Sequence, residues 1–249
     1  MTRLDDIDQA KHAVRQHVWD LLEREGAAPP GVHGHIPDFT GKEDAAARLA
    51  ELDVWKQARV IKCNPDRAQL PVRVRALQEG KLLYMAVPRL ATPKPFYLLD
   101  PTVLTVSFET AATSTGAPEI APTVGPDEMR PVDLIVCGSV AVSRRGGVRV
   151  GKGAGYSDLE IALLTEAGLV TTHTAIATTI HQTQLLDQEL PRAGHDFSVD
   201  FAITQDEVVA CAPDRERPPS IIRPNLRQDH LDTIPVLRVS GWQGARLTE

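Results

Sequence analysis

The chain has 249 residues, 42% of them hydrophobic, which is enough for one large α/β domain or two small ones with a sizeable core. Its formal net charge of -6 and its 4% aromatic content argue against nucleic-acid binding, which needs a basic surface and stacking side chains. An acidic average still allows a local cationic pocket for one anionic ligand.

No apolar run approaches the roughly 18 residues that a membrane-spanning helix needs, and the N-terminal segment is charged throughout. We therefore expect a cytoplasmic protein without a membrane partner. The three cysteines, Cys63, Cys137 and Cys211, are widely spaced and form no C-x-x-C pair. This spacing favours buried free thiols in a reducing compartment.

The first half of the chain alternates helical and strand patterns. Apolar residues recur every three to four positions over residues 5–25, which predicts an amphipathic helix. After a Gly- and Pro-rich connection, the pattern predicts a helix, a strand, a helix and a strand over residues 42–52, 58–63, 70–78 and 81–87. This order is typical of a parallel sheet with crossover helices.

The second half begins with residues 111–130, whose Thr, Ser, Gly and Pro content predicts a long surface connection. The apolar run VDLIVCGSVAV, residues 132–142, predicts a central buried strand. Beyond a glycine-rich stretch, we expect a helix, then a strand or a strand plus loop, and then two short strands, over residues 158–167, 168–180, 200–204 and 207–211.

The predicted elements amount to a three-layer α/β/α domain with a mainly parallel central sheet over residues 1–212. Residues 213–249 form a Pro-rich C-terminal extension that we expect to pack on the same domain. Its segment IPVLRVSGW, residues 234–242, is expected either to add an edge strand or to wrap the domain.

The glycine-rich stretch GGVRVGKGAGYSDLE, residues 146–160, places five glycines directly before a predicted helix. Glycines let the backbone bend tightly and approach a ligand, and N–H groups beside a helix N-terminus suit an anion. Arg144, Arg145, Arg149 and Lys152 supply cations nearby. The stretch matches neither the Walker loop nor G-x-G-x-x-G. From the residues alone it is either an anion site or a hairpin turn.

This stretch and the strand before it resemble the signature region of the 5-formyltetrahydrofolate cyclo-ligase family, also called methenyltetrahydrofolate synthetase, where a D-x-I/L-V strand precedes R-x-G-x-G-x-G-Y-Y-D-R. Three further pieces are similar to the family in the same order: KHAVR at 11–15, the segment NPDRAQLPVRVRALQEGKLLYMAVPRL at 64–90, and AGHDFSVDFAIT at 193–204. The loop G-K-G-x-G-x-x-D-L-E resembles the branch called methenyltetrahydrofolate synthetase domain-containing.

The resemblance implies that ATP drives a ring closure of 5-formyltetrahydrofolate to 5,10-methenyltetrahydrofolate, releasing ADP and phosphate, with Mg²⁺. In that reaction the formyl oxygen attacks the γ-phosphate, N10 attacks the resulting iminophosphate carbon, and phosphate leaves. Such a site acts mainly by positioning and charge neutralisation. The implied partners are ATP and a reduced folate, bound by a monomer or a homodimer.

The resemblance also implies roles for single residues. The positions expected at the nucleotide are Lys11, Arg15, Arg149, Gly151, Lys152, Gly153, Ala154, Gly155, Tyr156 and Asp158. Lys152 and Asp158 would be catalytic, and Asp66 and Tyr156 would bind the folate. Asp158 is either the carboxylate for the metal or the cap of the following helix. From spacing alone, Lys11 and Arg15 could instead form a solvated helix edge.

Two groups of residues need separate comment. Asp196 and Asp200 in the H-D-x-x-V-D motif are expected to organise the turn into a late strand. Ser157 and Leu159 stand where many family members have Tyr and Arg, and Asp66 is one methylene shorter than the usual Glu. These departures keep open a non-catalytic nucleotide- or folate-binding regulatory protein that retains the fold, and also an enzyme acting on another phosphorylated small molecule.

Overall fold

The computed structural model describes residues 3–212 and 220–238 of the chain. Its strands are β1 (Val60–Cys63), β2 (Leu82–Ala86), β3 (Phe96–Leu99), β4 (Thr123–Val124), β5 (Leu134–Cys137), β6 (Ala141–Ser143), β7 (Arg149–Val150), β8 (Ala175–Thr179), β9 (Leu185–Leu186), β10 (Phe201–Ile203) and β11 (Val208–Ala210). Its α-helices are α1 (Arg3–Arg24), α2 (Lys42–Ala50), α3 (Asp53–Gln57), α4 (Leu70–Gln78), α5 (Phe108–Ala111), α6 (Ala117–Ile120), α7 (Tyr156–Glu166) and α8 (Gln228–Thr233).

A large sheet forms the centre, and its described strands follow the order β11-β10-β8-β5-β1-β2-β3-β4. The five inner strands from β10 to β2 are parallel, whereas β11, β3 and β4 pair antiparallel at the two edges. A smaller sheet has the order β7-β6-β9. These pairings confirm the predicted mainly parallel α/β fold.

Side chains alternate between the two faces of the large sheet, as the period of a β-strand requires. On β5, for example, Ile135 and Cys137 join the core that includes α7, while Leu134 and Val136 join the core that includes α2 and α4. Each face therefore carries its own hydrophobic core with a helical layer above it, which is the predicted three-layer arrangement.

The predicted single strand over residues 132–142 is wrong, because the chain changes sheets in the middle of this apolar run. β5 belongs to the large sheet and β6 to the small one. Gly138 lies at the crossing, where an added Cβ would stand 2.9 Å from Ile36 Cγ2 and 3.1 Å from an Asp66 carboxylate oxygen. Only a residue without a side chain fits so close an approach.

Residues 111–130 contain more structure than the predicted connection. They hold α6 and the short strand β4, which pairs with β3. The strand β3 was not predicted, because its four residues have no alternation of polar and apolar side chains. A strand this short is defined by the strands that pair with it and not by a local pattern.

The described part of the C-terminal extension, residues 220–238, packs on the face that carries α7. Ile221, Ile234 and Val236 are buried in the same core as α7. Residues Pro235–Arg238 form a 3-10 turn, so an edge strand is excluded up to residue 238. Residues 213–219 and 239–249 lie outside the described part, and the domain division at residue 212 stays a prediction.

The buried thiols were predicted correctly for Cys63 and Cys137, while Cys211 is half-buried; all three are free. Burial raises the pKa of Cys63 to about 11. Among the helices of residues 3–212 and 220–238, none combines the length and the apolar character that crossing a membrane requires.

Candidate functional site

A cavity of about 550 Å³ lies at the carboxyl ends of β1 and β2. Its walls come from α1, from residues 64–66 after β1, from residues 86–89 after β2, from residues 149–162 and from the C-terminal residues 220–230. The carboxyl edge of a parallel sheet is where ligands bind in open α/β folds. We call this space the loop cavity.

The glycine-rich stretch contains the hairpin turn that its residues allowed, followed by a separate loop. Its first part is a hairpin in which Ala141 pairs with Val150 across β6 and β7. Gly147 turns this hairpin with φ 63°, and a Cβ there would lie 2.1 Å from the Val199 carbonyl oxygen. Residues 151–155, which we call the glycine loop, then lead from β7 to α7. The strand before the loop is thus β7 of the small sheet, not the central strand.

The glycine loop is tied to α1 through Arg15. Arg15 Nε donates to the Gly151 carbonyl oxygen at 2.7 Å, and the Arg15 guanidinium carbon would lie 3.3 Å from a Cβ placed on Gly153. Gly153 has φ 100° and Gly155, the N-cap of α7, has φ 74°. Both values suit glycine, because side chains are strained at positive φ.

If the glycine loop binds the nucleotide that the resemblance implies, replacing Gly153 by alanine should weaken that binding. The positive φ costs a side chain about 1–2 kcal/mol, and the new methyl group pushes on the Arg15 guanidinium. We expect the Kd for ATP to rise about tenfold. Gly194→Ala is the matched control, because a Cβ there meets nothing within 4 Å. Equal Kd values for Gly153→Ala and the control would contradict this description of the loop.

Arg149 lies beneath the glycine loop and is buried. Its guanidinium is 3.4 Å from an Asp158 carboxylate oxygen, donates to the Gly138 carbonyl oxygen at 3.2 Å, and stacks 4.4 Å above the Phe197 ring. Asp158 is the third residue of α7, whose N-cap is Gly155. The expectation that Asp158 caps the helix is therefore wrong, and its carboxylate lines the loop cavity instead.

Asp196 places a second carboxylate in the loop cavity, within electrostatic range of Asp158. It accepts hydrogen bonds from Lys11 Nζ at 2.5 Å and from the Ala193 N–H at 2.6 Å. The backbone bond fits the expected structural role, but Asp196 also lines the loop cavity, which the sequence did not indicate. Lys11 is buried, so the alternative of a solvated helix edge is wrong for it.

The ionisation of Asp158 is disfavoured by its surroundings. Its side chain is only 17% exposed. This burial, assisted by the negative charge of Asp196, raises the pKa of Asp158, although Arg149, Lys11 and His195 act in the opposite direction. A divalent cation held in the loop cavity by Asp158 and Asp196 would stabilise their ionised forms.

Two carboxylates suit Mg²⁺, which is commonly held by one or two of them together with phosphates and water. Within residues 3–212 and 220–238, no group of three or more His, Cys, Asp or Glu side chains could hold a metal without such additional ligands. Asp158 and Asp196 therefore fit a Mg²⁺ ion that arrives with a nucleotide.

Lys152 and Asp66 face each other across the loop cavity. Lys152 Nζ is 3.2 Å from an Asp66 carboxylate oxygen, and its side chain is 39% exposed. Arg73 of α4 fixes the turn that carries Asp66, because its buried guanidinium donates to the backbone carbonyls of Asn64, Pro65 and Asp66. Tyr156 lies beside them in the wall, with its ring 5.3 Å from the His230 ring.

The C-terminal residues close one side of the glycine loop. Arg227 donates to the Gly153 carbonyl oxygen at 3.2 Å, and His230 Nε2 donates to the Ala154 carbonyl oxygen at 2.9 Å. Burial lowers the pKa of His230, which keeps its ring neutral near pH 7. The carbonyl oxygens of Gly151, Gly153 and Ala154 thus all accept hydrogen bonds from side chains.

The sequence reasoning missed a network of four polar side chains, which we call the floor network: Lys62, Asn64, Ser157 and Glu160. Asn64, Ser157 and Glu160 line one side of the loop cavity, which we call the cavity floor. Lys62 of β1 pairs with Glu160 of α7 and also donates to Asn64 Oδ1 at 2.9 Å. Asn64 Nδ2 in turn donates to Ser157 Oγ at 2.7 Å. One signal was present: Lys62 is a charged residue between the apolar residues Ile61 and Cys63 of a predicted strand.

Residues 7–205 match the model of the 5-formyltetrahydrofolate cyclo-ligase family. The chain belongs to this family. It is 36% identical over 235 residues to the methenyltetrahydrofolate synthase domain-containing protein of Bos taurus and 37% identical over 235 residues to that of Mus musculus. These alignments cover 92% of this chain but only 61% and 62% of the two relatives. The chain thus spans about three fifths of the length of these curated relatives.

A solved structure supports the cyclo-ligase fold. The NMR structure of Aquifex aeolicus 5,10-methenyltetrahydrofolate synthetase superposes with a TM-score of 0.52 at 18% sequence identity. The superposition covers 88% of this chain and 99% of that protein. At this identity the similarity establishes the fold alone.

The structure brings all residues assigned through the cyclo-ligase resemblance to one place. The loop cavity is lined by Lys11, Arg15, Asp66, Arg149, Gly151, Lys152, Gly153, Ala154, Gly155, Tyr156 and Asp158. Their individual roles in binding and catalysis stay predictions. Leu159 is buried in the core with α7, so the position that is Arg in many family members supplies no cation here.

Proposed function

We propose that this protein uses ATP to convert 5-formyltetrahydrofolate into 5,10-methenyltetrahydrofolate, with release of ADP and phosphate. One observation carries the proposal: cations from α1, β7 and the glycine loop, far apart in sequence, line a single cavity together with the carboxylates of Asp158 and Asp196. Phosphoryl transfer needs this combination of positive charge, backbone N–H groups and metal-binding oxygens. The cytoplasmic location and the oligomeric state stay predictions.

The triphosphate would lie along the glycine loop. Arg15 is already fixed against the loop by its bond to Gly151, so its charge is preorganised for a phosphate. Lys152 is the most exposed of these cations and pairs with Asp66. An arriving phosphate competes with Asp66 for Lys152, which frees the Asp66 carboxylate to accept hydrogen bonds from the folate, next to Tyr156.

Asp158 and Asp196 would hold Mg²⁺, which supplies charge neutralisation at the phosphates when bound. Arg149 keeps Asp158 directed into the cavity, and Lys11 does the same for Asp196. Because both carboxylates already carry a cationic partner, neither is left as an isolated buried charge when the metal is absent.

A second candidate is a non-catalytic regulatory protein that binds a nucleotide or a folate in the same cavity. The burial of Leu159 favours it, because the loop cavity lacks a cation at that position. This alternative predicts ATP binding without turnover, whereas the ligase predicts both.

Incubation with ATP, Mg²⁺ and 5-formyltetrahydrofolate, followed by the methenyl absorbance, tests the proposal. We expect product only when all three are present. In parallel, the double variant Lys11→Ala/Lys152→Ala should lose ATP binding by calorimetry, while Lys94→Ala, an exposed lysine paired with Glu128, should bind like wild type. ATP binding without product would favour the regulatory protein, and unchanged binding in the double variant would refute the loop assignment.

A further inference from the structure

The ion pair of the floor network is deeply buried. Lys62 is fully buried, and the Glu160 side chain is 5% exposed. Desolvating two charges offsets most of their attraction, and hydrophobic residues of similar size often give equal or greater stability. A buried ion pair at the wall of a binding cavity is therefore a candidate for recognising a ligand.

The hydrogen bonds of the floor network are donated from Lys62 to Asn64 and from Asn64 to Ser157. Lys62 carries donors only, so Asn64 must present Oδ1 to it and turn Nδ2 toward Ser157. Ser157 Oγ accepts that bond and keeps its own hydrogen to donate. In the described part of the chain, no residue accepts a hydrogen bond from Ser157 Oγ.

At the other end of the floor network, Glu160 offers a hydrogen-bond acceptor. Glu160 uses Oε2 for Lys62. Ser157 and Glu160 are three residues apart on α7, so their side chains lie on the same helix face, and both line the loop cavity. The cavity floor therefore presents one hydroxyl donor beside one carboxylate acceptor.

We propose that Ser157 and Glu160 bind the edge of a planar nitrogen heterocycle that carries an N–H donor next to an acceptor. Lys62 is a positioning residue: it pairs with Glu160 and sets the orientation of Asn64. The inference rests on the proposed function, whose two ligands both have such an edge, the N–H/C=O edge of a pteridine and the amino/ring-nitrogen edge of adenine.

Direct binding to the full chain tests this assignment. The probes are pterin and its N3-methyl derivative, and ATP and its N6,N6-dimethyl derivative. We expect methylation to weaken one of the two pairs about tenfold or more, because it removes the donor that faces Glu160. Pterin sensitivity places the folate ring on the floor when it is lost in the variant Lys62→Met/Glu160→Met, because a contact to Asp66 would persist in that variant. ATP sensitivity that is lost in the same variant places adenine there. Equal binding within both pairs overturns the proposal.

Protein variants provide the second arm. The double variant Lys62→Met/Glu160→Met removes both charges together and should melt within about 5 °C of wild type. It should nevertheless lose about tenfold in affinity for the methylation-sensitive probe, and Ser157→Ala should lose about fivefold. If the Lys62–Glu160 pair were purely structural, the double variant and Ser157→Ala would both bind the probe with wild-type affinity. If the double variant fails to fold, Ser157→Ala and the methylated probes still test whether Ser157 and Glu160 bind the ligand.

The outcome is separable from that of the proposed function. Suppose that the protein turns over its substrates, but that neither probe methylation nor the variants change the binding affinities. The ligase proposal would then be retained and the floor assignment rejected. Absence of turnover with a clear methylation effect would reject the ligase and retain the floor assignment.

Discussion

Replacing Arg73 by methionine should lower the free energy of unfolding by about 3–5 kcal/mol. Its guanidinium is buried and donates to four backbone carbonyls, three in the turn after β1 and one at Ala112. Methionine has a similar length but no donor, so these carbonyls lose their partners in a place where water does not replace them. Urea unfolding followed by circular dichroism measures the loss.

Arg75→Met on the same helix is the matched control. Arg75 is exposed and pairs with Glu79 four residues later, so its removal should change stability by about 0.5 kcal/mol or less. The Arg73 variant should also bind 5-formyltetrahydrofolate more weakly, since the turn holds Asn64 and Asp66 at the loop cavity. Equal stabilities for the two variants would show that the hydrogen bonds of Arg73 do not stabilise this turn.

Replacing Asp158 by asparagine should lower kcat about 10²- to 10³-fold, because the variant loses the metal-directed carboxylate. Affinity for ATP without Mg²⁺ should change little or increase, since a negative charge next to the phosphates is removed. Phosphate release at saturating ATP measures the first effect, and calorimetry in the presence of a chelator measures the second.

The same substitution should raise stability in a pH-dependent way. Burial raises the pKa of Asp158 in the folded protein, so its protonated form is favoured there and the stability it contributes is lost as the pH rises through that value. Asp158→Asn should therefore melt higher than wild type near pH 7, with the difference shrinking as the pH falls toward about 3.9, the usual value for Asp.

Asp20→Asn, at an exposed aspartate of α1, is the control for both effects and should resemble wild type. Undiminished turnover in Asp158→Asn would remove this residue from the metal site, and a lower melting temperature at pH 7 would contradict its disfavoured ionisation.

The sequence was sufficient where local pattern and tertiary structure agree. The helix periodicity located α1 and α4, and the apolar runs located β1 and β2 within one or two residues. The glycine loop was also found, because its positive φ angles require glycines, which the sequence shows directly. These features depend on backbone preferences and on burial of one face, and both can be predicted from residues that are close together in the sequence.

The remaining features depend on contacts between distant parts of the chain. The sheet change at Gly138 is caused by close approach to Ile36, and β3 owes its pairing to β2 and β4. Similarly, Lys62 and Glu160 are 98 residues apart, and only the fold brings them together. Asp196 was assigned to a turn because its second role depends on Lys11 of α1.

The central claim is that the loop cavity couples ATP cleavage to ring closure of 5-formyltetrahydrofolate. The most direct test measures phosphate and methenyl product in the same reaction with wild-type protein, ATP and Mg²⁺. The proposed chemistry predicts one phosphate for each methenyl product, and no phosphate release when the folate is left out. Phosphate released without methenyl product, or ATP bound with neither product formed, would contradict it.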